Sequence, residues 1–158
     1  MATRSTIALE FADGTVGQVY CHWDGYLSNN GAILFEHYQD PFKLRELIDL
    51  GDLSSLRPQI GTQHAFSRLD TEMSDQEYDA LYGDMCTFYG RDRGETGINA
   101  RYFKNFEEYA REHQREEYEY ILRNVNGKAT WFVDTYGHDG EFMTIEDAIA
   151  FQEERDVA

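Results

Sequence analysis

Carboxylates dominate the stretch from Leu69 to Asp84, LDTEMSDQEYDALYGD, which holds six acids and neither lysine nor arginine. General acid and base catalysis needs two carboxylates whose surroundings push their pKa values apart. A solvated run of acids offers no such asymmetry, so no catalytic residue is predicted here. Carboxylates at helical spacing can instead approximate a row of phosphates, because duplex DNA presents one negative charge per ~1.7 Å of axis. The plainer alternative, that the acids only maintain solubility, stays open.

Histidine and cysteine spacings match no catalytic or metal-binding motif. The five histidines form neither HxH nor HExxH, and no glycine-rich phosphate loop is present. Asp134, His138 and Asp139, around the sequence TYGHDG, are the best-placed metal ligands, but a polar turn is the favoured interpretation. Cys21 and Cys86 form no CxxC and are predicted to be reduced thiols, with Cys86 in the core. No metal site and no cofactor are predicted.

One patch is both basic and aromatic, a combination that can hold a phosphate or a single nucleic-acid strand. Since the formal net charge is −16, internal pairing of its cations with the acidic helices is the favoured interpretation. The patch comprises Tyr89, Arg91, Arg93, Arg101, Tyr102, Phe103 and Lys104.

The negative charge is unevenly distributed, with a net −3 in residues 1–68 and −13 in residues 69–158. Such a surface repels nucleic acid and anionic membranes and attracts basic proteins, above all those that hold nucleic acid. The amino-terminal MATRSTIALEF lacks the apolar run of a signal peptide, and no stretch approaches ~18 consecutive apolar residues. The chain is therefore expected to act in the cytoplasm.

Two hairpins are predicted from alternating hydrophobicity and turn residues. The first spans residues 5–24 and turns at Asp13-Gly14, and the second joins 117–125 to 129–134 at Asn126-Gly127. Residues 52–57 are predicted to form a turn, and GRDRGETG (90–97) a loop.

Helix starts are marked by capping residues. Asp40-Pro41 begins a helix that ends before Gly51, with a buried stripe of Phe42, Leu44, Leu47, Ile48 and Leu50. A short helix is expected near residues 30–37. Three further helices are predicted from cap pairs, with Tyr78, Leu81 and Tyr82 turned inward on the first of them: Ser74 with Glu77, Asn105 with Glu108, and Thr144 with Asp147.

These elements favour an α+β fold with a mainly antiparallel sheet and several helices packed on it. A length of 158 residues and a hydrophobic content of 41% suit one domain over 1–158. Within it, residues 69–158 form the acidic part.

The sequence TRSTIALEFADGTVGQVYCHWDGY, followed by Glu36-His37-Tyr38, resembles a group of uncharacterised small phage proteins that begin with a TRS-type strand and carry a DGY turn. The resemblance covers about the first 60 residues and implies a phage origin, without implying any catalytic residue. In its acidity, the rest of the chain resembles antirestriction and anti-CRISPR inhibitors.

Together, charge and resemblance lead us to expect a phage anti-defence protein, acting in the bacterial host cytoplasm. It is expected to block the basic surface of a host nucleic-acid-binding protein or complex without contacting nucleic acid or membrane. The expected contact residues are Asp75, Glu77, Asp79, Glu107, Glu108, Glu112 and Glu116.

Two alternatives stay open, a small enzyme or nucleotide-sequestering protein and a phage structural component. For the first alternative, His22, Trp23, Asp24 and Tyr26 at a strand end form a possible second site. The structural interpretation of the same residues, that Trp23 anchors the core and Asp24-Gly25 makes a turn, is favoured.

Overall fold

Two β-hairpins and the contact between them form the centre of the sheet. The computed structural model describes residues 2–135 and 141–157. Strands β1 (Ser5–Glu10) and β2 (Val16–Cys21) pair antiparallel, as do β6 (Tyr118–Val125) and β7 (Lys128–Thr135). Both predicted hairpins are thus confirmed. Strand β1 joins them by pairing parallel with β6, in the register Ser5 to Tyr118.

Short strands complete the sheet in the order β4-β3-β2-β1-β6-β7-β8. Strand β3 (Leu53–Ser55) runs parallel to β2 and antiparallel to β4 (Thr87–Phe88), and β8 (Met143–Thr144) runs antiparallel to β7. Strand β5 (Arg101–Phe103) pairs antiparallel with the first half of β2. The α+β prediction is confirmed, and the sheet is mixed because β1 with β6 and β2 with β3 are parallel pairs.

The helices begin where the capping residues predict. The carboxylate of Asp40 accepts the amide of Phe42 at 2.9 Å, and the Asn105 side chain accepts the amide of Glu108 at 2.8 Å. Thr144 caps the last helix in the same way, through the amide of Asp147. The helices are α1 (Ala32–His37), α2 (Pro41–Leu50), α3 (Asp75–Tyr82), α4 (Tyr89–Arg93), α5 (Phe106–Glu112) and α6 (Ile145–Val157).

The two faces of the sheet carry cores of different size. Ile7 and Leu9 of β1 point into the larger core, which α1, α2 and α6 cover with residues such as Leu34, Leu47 and Ala148. The intervening Ala8 points to the other face, where it meets Val16, Ile121 and Tyr109 of α5 in a smaller cluster. The alternation along β1 therefore places α5 opposite the other three helices.

Several local predictions are wrong. Residues 53–55 are strand β3, not part of a turn, and GRDRGETG begins inside α4. Phe42 is 81% exposed, because it lies two positions before Leu44 and thus on the far side of α2. Leu81 is 57% exposed, because α3 contacts the protein through Tyr78 and Tyr82 and Leu81 lies beside that narrow contact.

Helices long and apolar enough to cross a membrane do not occur within residues 2–135 and 141–157.

Candidate functional site

The end of β2 presents an exposed tryptophan. Backbone pairing with β3 continues past Cys21, since the amides of His22 and Trp23 donate to the carbonyls of Leu53 and Ser54. This pairing leaves Trp23 44% exposed, so the interpretation that Trp23 anchors the core is wrong. The imidazole of His22 packs edge-on against the Trp23 ring, with ring centroids 4.7 Å apart. Nδ1 of His22 lies 2.7 Å from the hydroxyl of Tyr20. Trp23 is therefore held in place at the surface.

Asp24 follows in a left-handed backbone conformation, with φ of 57°. Its carbonyl accepts hydrogen bonds from the amide of Asn30 and the side chain of Asn29, both at 3.2 Å. A Cβ on the next residue, Gly25, would lie 2.7 Å from the Cβ of Ser5, so only glycine fits there. The chain thus turns tightly at Asp24-Gly25, as predicted, and leaves Tyr26 exposed.

Helix α3 carries the acidic face predicted from sequence. Two of its three expected contact residues, Glu77 and Asp75, make contacts within the chain. Ser74 and Glu77 form a reciprocal capping box, the serine accepting the Glu77 amide at 3.1 Å and the carboxylate accepting the Ser74 amide at 3.2 Å. Asp75 pairs with Arg68 at 2.7 Å. Asp79 is exposed, and neither a hydrogen bond to its carboxylate nor an ion pair is found within the described part of the chain.

Aromatic contacts hold α3 against the protein, although none of its residues is fully buried. The ring of Tyr82 stacks on the imidazole of His64 with centroids 5.0 Å apart and planes 17° from parallel. The hydroxyl of Tyr78 donates to the carbonyl of Ala65, and burial raises the pKa of that hydroxyl. Helix α3 is therefore attached to the rest of the protein mainly through Tyr78 and Tyr82.

Between α3 and the end of β2 lies a cleft of about 270 Å³. It brings together Trp23 and Asp24 of the predicted second site and Asp79 of the predicted acidic face, which lie more than fifty residues apart in sequence. His22 and Tyr26 do not line it, although His22 supports Trp23. The remaining lining residues are Ser54, Ser55, Arg57, Phe66, Tyr78, Tyr82, Gly83, Met85 and Thr87.

No protein-family model, curated protein or solved structure matches the chain.

The other expected contact acids lie elsewhere: Glu107, Glu108 and Glu112 are on α5, which covers the smaller core, and Glu116 follows that helix. Glu107 and Glu112 are exposed, whereas Glu108 and Glu116 are half-buried. Glu116 accepts a hydrogen bond from the side chain of Gln114 at 3.2 Å. None of these residues lines the cleft, so the structure does not bring the acids of α3 and α5 into one pocket.

Beneath α5 lies a buried pair, His113 and Glu119. Nδ1 of His113 is 2.6 Å from the carbonyl oxygen of Tyr109 and must donate to it, because a carbonyl only accepts. Nε2 faces the Glu119 carboxylate at 3.2 Å, with both side chains almost fully buried. Burial, with Glu119 nearby, raises the pKa of the Tyr109 hydroxyl well above its ordinary value.

The three arginines of the basic patch make internal contacts, although their carboxylate partners are not on the acidic helices α3 and α5. Arg91 grips the neighbouring Asp92 with two hydrogen bonds, of 3.0 and 3.2 Å, and also donates to the carbonyls of Ile60 and Cys86. The Asp92 carboxylate in turn accepts the amides of His64 and Phe88. Two further pairs are Arg93 with Glu95 and Arg101 with Asp52.

Both cysteines are free, as predicted, and both are buried, which had been predicted for Cys86 only. Burial raises the pKa of the Cys21 thiol to about 12 and also raises that of Cys86. Among the residues that the structure describes, no group of three or more histidine, cysteine or acidic residues could hold a metal ion. The predicted metal candidates His138 and Asp139 lie outside the described residues.

Proposed function

We propose that this chain is a phage anti-defence protein that acts in the cytoplasm of the bacterial host. It binds the basic, nucleic-acid-binding surface of a host defence protein and thereby blocks access of nucleic acid. The mechanism is binding without turnover, and the cleft with its acidic rim on α3 is the contact surface.

One observation carries the proposal: all six carboxylates of residues 69–84 are exposed, in a segment that contains no lysine or arginine. Such carboxylates can take the place of nucleic-acid phosphates on a basic surface, and salt then weakens the complex by screening the charges. Arg68 neutralises one of the six acids by pairing with Asp75, whereas the nearby Arg91 and Arg93 pair with Asp92 and Glu95. The local field around α3 therefore remains negative and attracts a cationic partner.

Co-purification of the intact protein with bacterial partners, first at low and then at high salt, tests the proposal. The expected result is a nucleic-acid-binding protein that is released as salt rises, and that duplex DNA displaces from the complex. A partner without nucleic-acid-binding activity, or a complex indifferent to salt and DNA, would contradict it.

A second candidate function, sequestration of a nucleotide, is favoured by one observation. The cleft places the guanidinium-bearing Arg57 in the same lining as the exposed ring of Trp23, and such a pair can hold a phosphate and stack a base. A thermal-shift screen with mono-, di- and cyclic nucleotides separates the two functions, because only sequestration predicts that a nucleotide raises the melting temperature.

A further inference from the structure

We propose that the cleft between α3 and the end of β2 is an anchor pocket for one arginine side chain of the bound protein. This inference rests on the proposed function and specifies its central contact. The guanidinium group lies among the aromatic rings and between the carboxylates of Asp24 and Asp79.

The carboxylates supply the charge that an arginine needs. Asp24 and Asp79 both line the cleft. Within residues 2–135 and 141–157, neither side chain has an ion-pair partner or receives a hydrogen bond. Both carboxylates can therefore accept hydrogen bonds from a guanidinium group, whose planar fork matches carboxylates closely.

The aromatic rings select a flat cation. Trp23, Phe66, Tyr78 and Tyr82 all line the cleft, and Trp23 is held in place by the edge-on contact with His22. A guanidinium plane stacks on such rings and gains from the negative charge of the ring face. Lysine carries a compact, strongly hydrated charge and gains less from stacking, so arginine is the expected occupant.

The size of the cleft suits one side chain. Its volume of about 270 Å³ lies just below the range of roughly 300–1,000 Å³ that small-molecule pockets occupy. The cleft therefore has room for a single long side chain.

Arg57 is the one cation among the lining residues, and it decides how the occupant is oriented. Its Nη1 donates to the carbonyl of Leu56 at 2.9 Å, and no carboxylate of the described residues lies within ion-pair distance of it. The remaining guanidinium donors are suited to a main-chain carbonyl of the incoming residue. A purely anionic ligand would satisfy Arg57 but would meet two carboxylates and a chain of net charge −16.

The two tryptophans make the pocket directly observable. Trp23 lines the cleft and is 44% exposed, whereas Trp131 is buried and donates its indole hydrogen to the carbonyl of Tyr38. In an NMR titration of the full chain, acetyl-Gly-Arg-Gly-amide should move the Trp23 indole signal and leave the Trp131 signal in place. One side chain is expected to bind with a Kd on the order of 1 mM.

Matched peptides and variants define the specificity. The citrulline peptide, which has the same shape without the charge, should bind at least about tenfold more weakly. Asp24→Asn and Asp79→Asn should each weaken arginine binding about threefold or more, and asparagine suits the left-handed backbone at residue 24. Glu46→Gln, which removes an exposed charge on α2 outside the cleft, should leave it unchanged.

The outcomes separate this inference from the proposed function. The inference is overturned if the Trp23 signal does not respond to the arginine peptide, or if the citrulline peptide binds equally well. It is also overturned if AMP moves the Trp23 signal and the arginine peptide does not. If the arginine peptide binds but the intact protein captures no basic partner, the pocket stands and the proposed function fails. If the salt-sensitive complex forms and Asp24→Asn and Asp79→Asn do not weaken it, the inference fails and the function stands.

Discussion

Tyr82 stacks on His64 with ring centroids 5.0 Å apart, and this contact holds the acidic helix α3 over the cleft. His64 is itself fixed by the Asp92 carboxylate, which accepts its amide, and by Thr87, whose hydroxyl lies 3.3 Å from Nε2. This aromatic pair thus connects the helix to a rigid internal network, next to the Tyr78 hydrogen bond.

Tyr82→Ala is expected to release α3, because the helix has no fully buried residue to keep it in place. The stack and the lost ring contacts together should cost about 1–2 kcal/mol of local stability. Amide hydrogen exchange over residues 75–82 should rise severalfold while the amides of β1 and β6 stay protected.

Tyr82→Phe is the matched control for this prediction, since it keeps the ring and removes only the hydroxyl. Equal exchange rates in the two variants would show that the stack does not hold the helix.

Reversing the charge of acidic residues that make no internal contact should weaken partner binding and leave the fold intact. Glu72 and Asp79 are exposed, whereas Asp75 and Glu77 support the helix and are poor test positions. Glu72→Lys with Asp79→Lys should raise Kd about tenfold or more at low salt and much less at high salt, because exposed charges are screened.

The control for charge reversal is Glu46→Lys with Asp49→Lys, which changes the net charge equally on the exposed side of α2. If this control weakens binding as strongly as the α3 variant, general negative charge suffices and α3 is not the contact surface. Circular dichroism and the melting temperature check that both variants remain folded.

The Cys21 thiol should stay protonated and unreactive until the protein unfolds. Its folded pKa of about 12 lies above the ordinary value of 9.0, so the unfolded chain loses this proton first as pH rises. Stability from this group is therefore fully present below pH 9 and is lost progressively towards pH 12, by up to about 4 kcal/mol.

Urea unfolding between pH 8 and 10.5 measures this effect, with Cys21→Ala as the comparison. The variant has lower stability at pH 8 because of its cavity, but its stability should fall less steeply with pH. Parallel slopes for the two proteins would contradict the assignment. Iodoacetamide should label both cysteines of the native protein only at the rate of unfolding.

The buried pair of His113 and Glu119 should be strongly coupled. Glu119→Leu leaves Nε2 of His113 without its partner and should cost about 3–5 kcal/mol of unfolding free energy. The double variant with His113→Leu should cost less than the sum of the two single changes, because it removes both polar groups together. Urea unfolding measures all three variants, and strictly additive costs would show that the pair does not interact.

The local structure was predictable where short-range chemistry decides it. Asp13-Gly14 and Asn126-Gly127 determine two hairpins, and Asp40, Ser74, Asn105 and Thr144 cap the helices at the predicted positions. These signals depend on neighbours within four residues, so they do not require knowledge of the fold.

The parallel pairings and the cleft depend on distant residues and could not be predicted in this way. Nothing in the local pattern shows that β1 pairs with β6, or that Leu53 pairs beside Cys21. Trp23 and Asp79 belong to two separate sequence patterns, and only the fold places them in one cleft. No sequence pattern marks Arg57 as a site residue. Tyr78 and Tyr82, four residues apart on a capped helix, do indicate a contact with the rest of the protein.

The parallel pairing of β1 with β6 also determines when the chain can fold during its synthesis. Strand β2 is available to β1 immediately, but Tyr118–Val125 leaves the ribosome only after about a hundred more residues, which takes roughly 5–20 s in bacteria. During that interval the amino-terminal hairpin has one unpaired edge and an apolar face that α6 has not yet covered. Until Tyr118–Val125 has been synthesised, the amino-terminal hairpin is therefore expected to be prone to aggregation through this unpaired edge.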